Sequence, residues 1–133
     1  MQGAYQPLDL AATNHAWTSN FLGPLLSDTI RSVLTGSVWT DDRRFLARLA
    51  SSGASSHCPA ATLEDTDHLF WDCTAWASIR TGFPALKPTT SQQLAPCLRI
   101  CGLIPAVILP THVARRELAL ALQSMHARIL LAR

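Results

Sequence analysis

The C-terminal segment 111–133 constrains the fold most, because it carries the clearest amphipathic helical pattern in the chain. Thr111 is a suitable N-cap for a helix that begins there. Apolar side chains then recur at helical spacing along one face, at Val113, Leu118, Leu122, Met125 and Ile129. Such a stripe is usually covered by the core of its own domain, and otherwise by a partner protein or a second copy. The pattern predicts a long C-terminal helix with a buried face.

The rest of the chain also favours helices over strands, since alternating runs of β-branched residues are absent from the sequence. Thr40 followed by two aspartates predicts a helix start, because the hydroxyl caps backbone N–H groups and carboxylates favour the positive end of the helix dipole. We expect this helix to stop near Gly53. Its inward-facing side chains would be Phe45, Leu46 and Leu49. Ser27 is a suitable cap for a short helix that stops at Gly36. Thr74 is a suitable cap for a further short helix. The sequence therefore predicts a mostly α domain.

A chain of 133 residues is long enough for one domain with a single core. The pattern divides it into an irregular lead-in at 1–26, a helical region at 27–82, a proline-containing connector at 83–110 and the C-terminal helix at 111–133. Within the connector, Pro96 permits one helical turn, because proline is tolerated at the start of a helix.

Composition argues against several classes of protein. Hydrophobic residues make up 48% of the chain and charged residues 15%, which argues against intrinsic disorder. No apolar stretch reaches the ~18–20 residues that a membrane span needs, so we expect no membrane partner. The first residues show no secretory signal, so we expect an intracellular protein that is not secreted, with its cysteines as thiols or metal ligands. A net charge of +2 does not by itself indicate nucleic-acid binding.

The part of the sequence that carries recognisable chemistry is a cluster of cysteine and histidine residues. Cys58 and His68 are separated by nine residues, and His68 and Cys73 by four. Two thiolates and an imidazole are ligands that zinc prefers. With Thr66 or Asp67 as a cap, a short helix would place His68 on its first turn and Cys73 just past its end, so that both face one ion. The alternative is that the three are buried residues that bind no metal.

The residues around this cluster resemble a known family. They run Cys58-Pro59-Ala60-Ala61, then Glu64-Asp65-Thr66-Asp67-His68-Leu69-Phe70-Trp71-Asp72-Cys73, and then Trp76. This order is similar to the zinc-binding domain that follows the polymerase in many non-LTR retrotransposon reverse transcriptases, with its Cys-x-x-Cys, short acidic stretch and His-x-x-x-x-Cys. The resemblance covers about residues 30–80. It implies zinc as a cofactor, contact with RNA or DNA, and a nuclear location.

The chain departs from the family pattern at one ligand position. The family's second cysteine falls at position 61, where this chain has Ala61, and a methyl group cannot bind a metal. Structural zinc sites almost always have four protein ligands. The residues that could replace the missing ligand are His57, Glu64 and Asp65, or Cys97 and Cys101 from further along the chain. The sequence leaves open a repaired four-ligand site and a site that binds zinc weakly or not at all.

Arginine residues supply the candidate contacts to nucleic acid. Arg43, Arg44 and Arg48 could form a basic stripe on the helix that follows Thr40, and Arg80 lies in the helix after the cluster. Guanidinium groups bind phosphate well, and nearby tryptophans could stack on bases. The alternative is a solvated helix face whose arginines pair with the preceding aspartates.

No catalytic motif accompanies these features. The sequence has no Gly-rich phosphate-binding loop, no nucleophile elbow and no His-Glu-x-x-His pair. We therefore expect no enzymatic activity and no small-molecule substrate, in a small helical domain with an irregular zinc-finger-like loop–helix segment. The functional hypothesis is a retroelement-derived zinc-binding-like domain that contacts RNA or DNA. The alternative is a helical structural or protein-interaction module, or a decayed fragment, with no metal and no nucleic-acid role.

Overall fold

The computed structural model describes residues 7–18, 23–84, 86, 96–104, 109 and 111–133. Its α-helices are α1 (Leu10–Thr18), α2 (Pro24–Leu34), α3 (Asp41–Leu46), α4 (Ala77–Thr81), α5 (Pro96–Cys101) and α6 (His112–Ala132). Between α3 and α4 lie a π-helix, His68–Asp72, and a 3-10 turn, Thr74–Trp76. No strand is present within these ranges, although Ala54 and Leu63 form an isolated antiparallel bridge. The prediction of a mostly α domain with a long C-terminal helix is confirmed.

Helix α6 lies in the centre of the core, as its periodicity predicts. Leu122, Met125 and Ile129 have no exposed surface, and Leu118 packs against the same cluster. Their partners from α1, α2 and the π-helix include Ala12, Val33, Leu69 and Phe70. Burial of each large apolar side chain contributes roughly 1.5–3 kcal/mol. The chain itself therefore covers most of the stripe, while Val113 at its beginning is exposed.

The prediction of an irregular lead-in is wrong where α1 lies. Asp9 caps this helix, because one carboxylate oxygen accepts the backbone N–H of Ala12 at 2.9 Å. The other oxygen accepts hydrogen bonds from Arg115 Nε at 2.7 Å and from His112 Nδ1 at 2.9 Å. The Ala12 N–H and then the Arg115 guanidinium hold the pKa of Asp9 well below its usual range. This contact with the start of α6 stabilises a helix that has little apolar periodicity of its own.

Helix α2 begins earlier than predicted. Gly23 is its N-cap with a φ of 84°, and Pro24 occupies the first helical position. A backbone N–H at that position has no partner within the helix, so proline loses no hydrogen bond there. Ser27, the predicted cap, lies inside the helix and is buried. The end agrees with the prediction, because Thr35 is the C-cap and Gly36 follows it with a φ of 67°, a left-handed conformation that favours glycine.

Helix α3 begins as predicted but ends early. Thr40 Oγ1 accepts the backbone N–H of Arg43 at 3.3 Å, and the two aspartates lie in the first turn. The helix ends at Leu46, and Arg48 adopts a φ of 61°, which is incompatible with a right-handed helix. The prediction that this helix turns its apolar side chains inward is wrong, because three of them are exposed: Phe45, Leu46 and Leu49.

The structure describes the connector 83–110 in part. The helical turn predicted to start at Pro96 is present as α5. After it, Ile104 is fully buried, and its N–H donates to Thr13 Oγ1 at 3.0 Å, which joins the connector to α1. The remaining parts of the predicted connector and lead-in lie outside the described residues, at 85, 87–95, 105–108 and 110, and at 1–6 and 19–22.

Candidate metal centre

The loop between α3 and the π-helix folds back on itself and carries Cys58 near its tip. The Ser55 N–H donates to the Thr62 carbonyl at 2.7 Å, which closes the loop. Asp41, the first residue of α3, accepts hydrogen bonds from the Ser56 N–H at 3.2 Å and from its hydroxyl at 3.1 Å. These bonds fix the backbone on both sides of Cys58 and hold the loop against α3.

The π-helix places His68 and Cys73 on the same side. The Cys73 N–H donates to the His68 carbonyl at 2.7 Å, five residues back, so the turn contains one residue more than an α-helical turn. This wider turn brings the side chains at its two ends together. The helix is capped by Asp65, whose carboxylate accepts the His68 N–H at 2.8 Å. The prediction of Thr66 or Asp67 as the cap is wrong by one or two residues, because both follow Asp65 and lie within the first turn of the helix.

Cys58, His68 and Cys73 converge into one buried group that could hold a metal ion. Each offers a ligand atom, and these atoms all lie within 4.8 Å of one another. Cys58 Sγ lies 3.4 Å from His68 Nε2. Donor atoms bound to one tetrahedral zinc ion are about 3.3–3.8 Å apart, given bond lengths near 2.0–2.3 Å. The three side chains that the sequence grouped are therefore brought together, with exposed fractions of 8% for Cys58 and His68 and 0% for Cys73.

The surroundings of Cys58 favour the thiolate, which is the form that binds metals. Burial acts to raise the pKa of its thiol, but backbone N–H groups of Ala60 and Thr62 and the hydroxyl of Ser55 act in the opposite direction. The Cys73 side chain acts in the same direction, and the net result is a pKa below the ordinary value. The tip of the loop is thus built to stabilise negative charge on sulfur.

Two of the suggested fourth ligands have other roles. The His57 side chain is exposed, and its ring lies 5.2 Å from the ring of Trp76. The Asp65 carboxylate caps the π-helix through the His68 N–H. Among the described residues, neither belongs to the group of three.

Glu64, the third suggestion, is fully buried but bonded elsewhere. Its Oε1 accepts the Asp41 N–H at 3.1 Å and a hydrogen bond from the Arg133 guanidinium. Its Oε2 accepts the Ser55 hydroxyl at 3.2 Å. Glu64 therefore holds the loop, α3 and the end of α6 together, and it too lies outside the group of three that the described residues form.

The more distant cysteines do not complete the group either, as far as the structure describes them. Cys101 is buried in α5 and is not one of the three grouped residues. The side chain of Cys97 lies outside the described residues.

Ser55 is the residue at this site that sequence reasoning missed. Its side chain is only 6% exposed, and its hydroxyl donates to Glu64 Oε2 at 3.2 Å and accepts the His57 N–H at 3.3 Å, which ties the loop on both sides of Cys58. The sequence carries no motif that would single out this serine. The family pattern directed attention to position 61, three residues after Cys58, where Ala61 is exposed.

The four candidate nucleic-acid-binding arginines do not share one role. Arg43 donates to the carbonyls of Gly36 at 2.6 Å and Val38 at 3.1 Å, so it stabilises the turn before α3. Arg80 similarly donates to carbonyls of the π-helix region, at Phe70 and Cys73.

Arg44 and Arg48 are both exposed. Among the described residues, neither guanidinium group donates to a backbone carbonyl as those of Arg43 and Arg80 do. Arg44 lies 3.8 Å from Asp41, with half of its side chain exposed. In exposed positions such ion pairs contribute little to stability. These two arginines are therefore the part of the predicted basic stripe that is available to a phosphate.

Comparison with known proteins finds no protein-family model, no curated protein and no solved structure that matches this chain. In the part of the chain that the structure describes, no helix combines the length and the apolar character needed to cross a membrane.

Proposed function

We propose that this chain is a zinc-binding domain in which Cys58, His68 and Cys73 hold the ion. The observation that carries the proposal is the convergence of these three ligand atoms within 4.8 Å in a buried position. Two thiols and one imidazole form a donor set that suits zinc and disfavours magnesium and calcium, which prefer oxygen. The resemblance of residues 58–76 to the zinc-binding domain of non-LTR retrotransposon reverse transcriptases points to the same metal.

The role proposed for the ion is structural. Leu69 and Phe70 anchor the π-helix in the core, but the loop around Cys58 consists mostly of small or polar side chains. Apolar burial therefore contributes little to holding the loop in place. A metal bound between Cys58 on the loop and His68 and Cys73 on the π-helix would join the two segments and stabilise the folded state. Burial of all three ligands also keeps substrates away from the ion, in keeping with a role other than catalysis.

Contact with RNA or DNA is the second part of the proposal. It rests on the resemblance and on the exposure of two arginines, Arg44 in α3 and Arg48 shortly after it. Such contacts would be electrostatic and sensitive to salt. The competing hypothesis is a helical module that binds neither metal nor nucleic acid. It predicts instead that the domain binds a partner protein through an apolar surface.

Metal analysis of protein purified under reducing conditions tests the proposal. The unmodified chain is expected to contain a stoichiometric amount of zinc, and Cys73→Ser is expected to lose it. Cys101→Ser is the matched control, because Cys101 is also a buried cysteine but lies outside the group. Absence of zinc from the unmodified protein, or equal loss in both variants, would contradict a site formed by these three residues.

A further inference from the structure

The two thiols of the candidate metal centre lie close enough to react with each other. Cys58 and Cys73 are both free cysteines, and their sulfur atoms are within 4.8 Å of each other. A disulfide needs the two sulfurs about 2.05 Å apart, and a change of rotamer moves each sulfur around its Cα–Cβ bond. The backbone of Cys73 is fixed by its N–H, which donates to the His68 carbonyl at 2.7 Å. The loop around Cys58 is therefore the segment that adjusts.

We propose that Cys58 and Cys73 form a reversible disulfide when the site holds no metal, with a peroxide as the oxidant. The pairing rests on the positions of the two sulfurs, and only its competition with zinc rests on the proposed function. Zinc binds thiolates, and the sulfurs of a disulfide carry no such charge. The two cysteines can therefore hold zinc or be joined to each other, but not both at once.

Exposure decides which sulfur reacts first. Cys58 is 8% exposed, whereas Cys73 has no exposed surface. The Cys58 sulfur attacks one oxygen of hydrogen peroxide, the O–O bond breaks, and water leaves with the thiol proton, so that a sulfenic acid remains. The Cys73 sulfur then attacks the Cys58 sulfur, and the S–O bond breaks as a second water leaves with the Cys73 proton. The two thiols lose two electrons, which reduce the peroxide to water.

Peptide mass spectrometry without reductant identifies the pairing. The full chain, freed of metal by a chelator, is treated with hydrogen peroxide, and the remaining thiols are alkylated. Circular dichroism before oxidation verifies the helical fold. Of its four cysteines the chain should lose two titratable thiols, in one Cys58–Cys73 linkage that dithiothreitol reverses. The preference for this pair should disappear in concentrated urea.

Two variants control for the reactivity of the other cysteines. Cys101→Ser removes a buried cysteine outside the group and should form the same linkage as the unmodified chain. Cys73→Ser removes the second sulfur of the pair, so oxidation should stop at a sulfenic acid on Cys58, which dimedone traps.

A parallel reaction with one equivalent of zinc separates this inference from the proposed function. We expect oxidation to be at least about tenfold slower with zinc, since only the metal-free fraction reacts, and one zinc ion to be released per disulfide. If the linkage forms equally fast with and without zinc, the pairing stands and the proposed zinc site fails. A folded chain that leaves Cys58 and Cys73 unlinked, or that pairs either mainly with another cysteine, overturns the disulfide even where zinc binds stoichiometrically. If the chelator unfolds the chain, the zinc-loaded protein decides: release of zinc without this linkage overturns the proposal.

Discussion

The guanidinium of Arg133 donates a hydrogen bond to the carboxylate of Glu64, whose side chain is completely buried. The same guanidinium lies 3.2 Å from Asp41 Oδ1. Arg133 follows α6, Asp41 begins α3, and Glu64 lies near the end of the loop between α3 and the π-helix. The long C-terminal helix is thus connected through one buried ion-pair network to the loop that carries Cys58.

Removal of this arginine should be costly. Arg133→Met leaves the buried Glu64 carboxylate without its charged partner, and we expect a loss of about 3 kcal/mol in the free energy of unfolding. Urea denaturation followed by circular dichroism measures it. Arg116→Met, at an exposed position of α6, is the control and should change stability by less than about 0.5 kcal/mol. Equal effects of the two substitutions would show that the network does not stabilise the fold.

Since we propose that a zinc ion holds the loop, a chelator should loosen the loop more than the core. With a strong chelator, we expect backbone amides at 54–64 to exchange at least about tenfold faster. Amides near Leu122 and Met125 in α6 should change much less, because apolar burial holds them. Hydrogen-exchange mass spectrometry resolves the two regions. In Cys73→Ser the chelator should have no effect, and an unmodified chain that ignores the chelator would speak against a metal in the loop.

Acid should destabilise the domain through His126. This side chain is fully buried against Phe70, with their rings 4.3 Å apart, and burial lowers its pKa to about 4 against a weaker opposing effect of the Arg99 backbone. Between pH 6.5 and 4 the unfolded chain binds a proton that the folded chain does not, so stability falls as pH falls through this window. The loss should reach about 3 kcal/mol at pH 4.

Urea denaturation over this pH range, with chelator present to remove metal effects, tests the role of His126. His126→Leu replaces the imidazole with an apolar side chain that does not titrate, and should flatten the pH dependence. If the variant retains the slope of the unmodified protein, another group is responsible for it.

Nucleic-acid binding, if carried by Arg44 and Arg48, should depend strongly on salt. Each phosphate contact contributes about one unit to the slope of log affinity against log salt concentration. The double substitution Arg44→Gln and Arg48→Gln should therefore reduce the slope by about two. Fluorescence anisotropy with a structured RNA measures it, and Arg116→Gln is a control of equal charge change per site. Absence of binding even at low salt would remove this part of the proposal.

The features that could be predicted from sequence are those that depend on local pattern. The periodicity from Leu118 to Ile129 was sufficient to predict α6, and the spacing of His68 and Cys73 was sufficient to place both at the ends of one short helix. Helix α1 could not be predicted in this way, because the residue that caps it, Asp9, is also held by Arg115 from the far end of the chain.

The candidate metal site was predictable from the sequence only in part. Cys58, His68 and Cys73 are the residue types that suit zinc, and their spacing allowed a shared ion. The way the loop folds back around Cys58 could not be predicted, because it depends on the bond from the Ser55 N–H to the Thr62 carbonyl and on the bond from the Ser55 hydroxyl to Glu64. The family pattern, aligned by cysteine spacing alone, places the missing ligand at residue 61. Only the folded structure shows that Ala61 is exposed.

X-ray absorption at the zinc edge of the purified, unmodified protein identifies the atoms bound to the ion. We predict a shell with two sulfur atoms at about 2.3 Å and two nitrogen or oxygen atoms at about 2.0–2.2 Å. A protein without zinc, or a zinc ion surrounded only by nitrogen and oxygen, would contradict it.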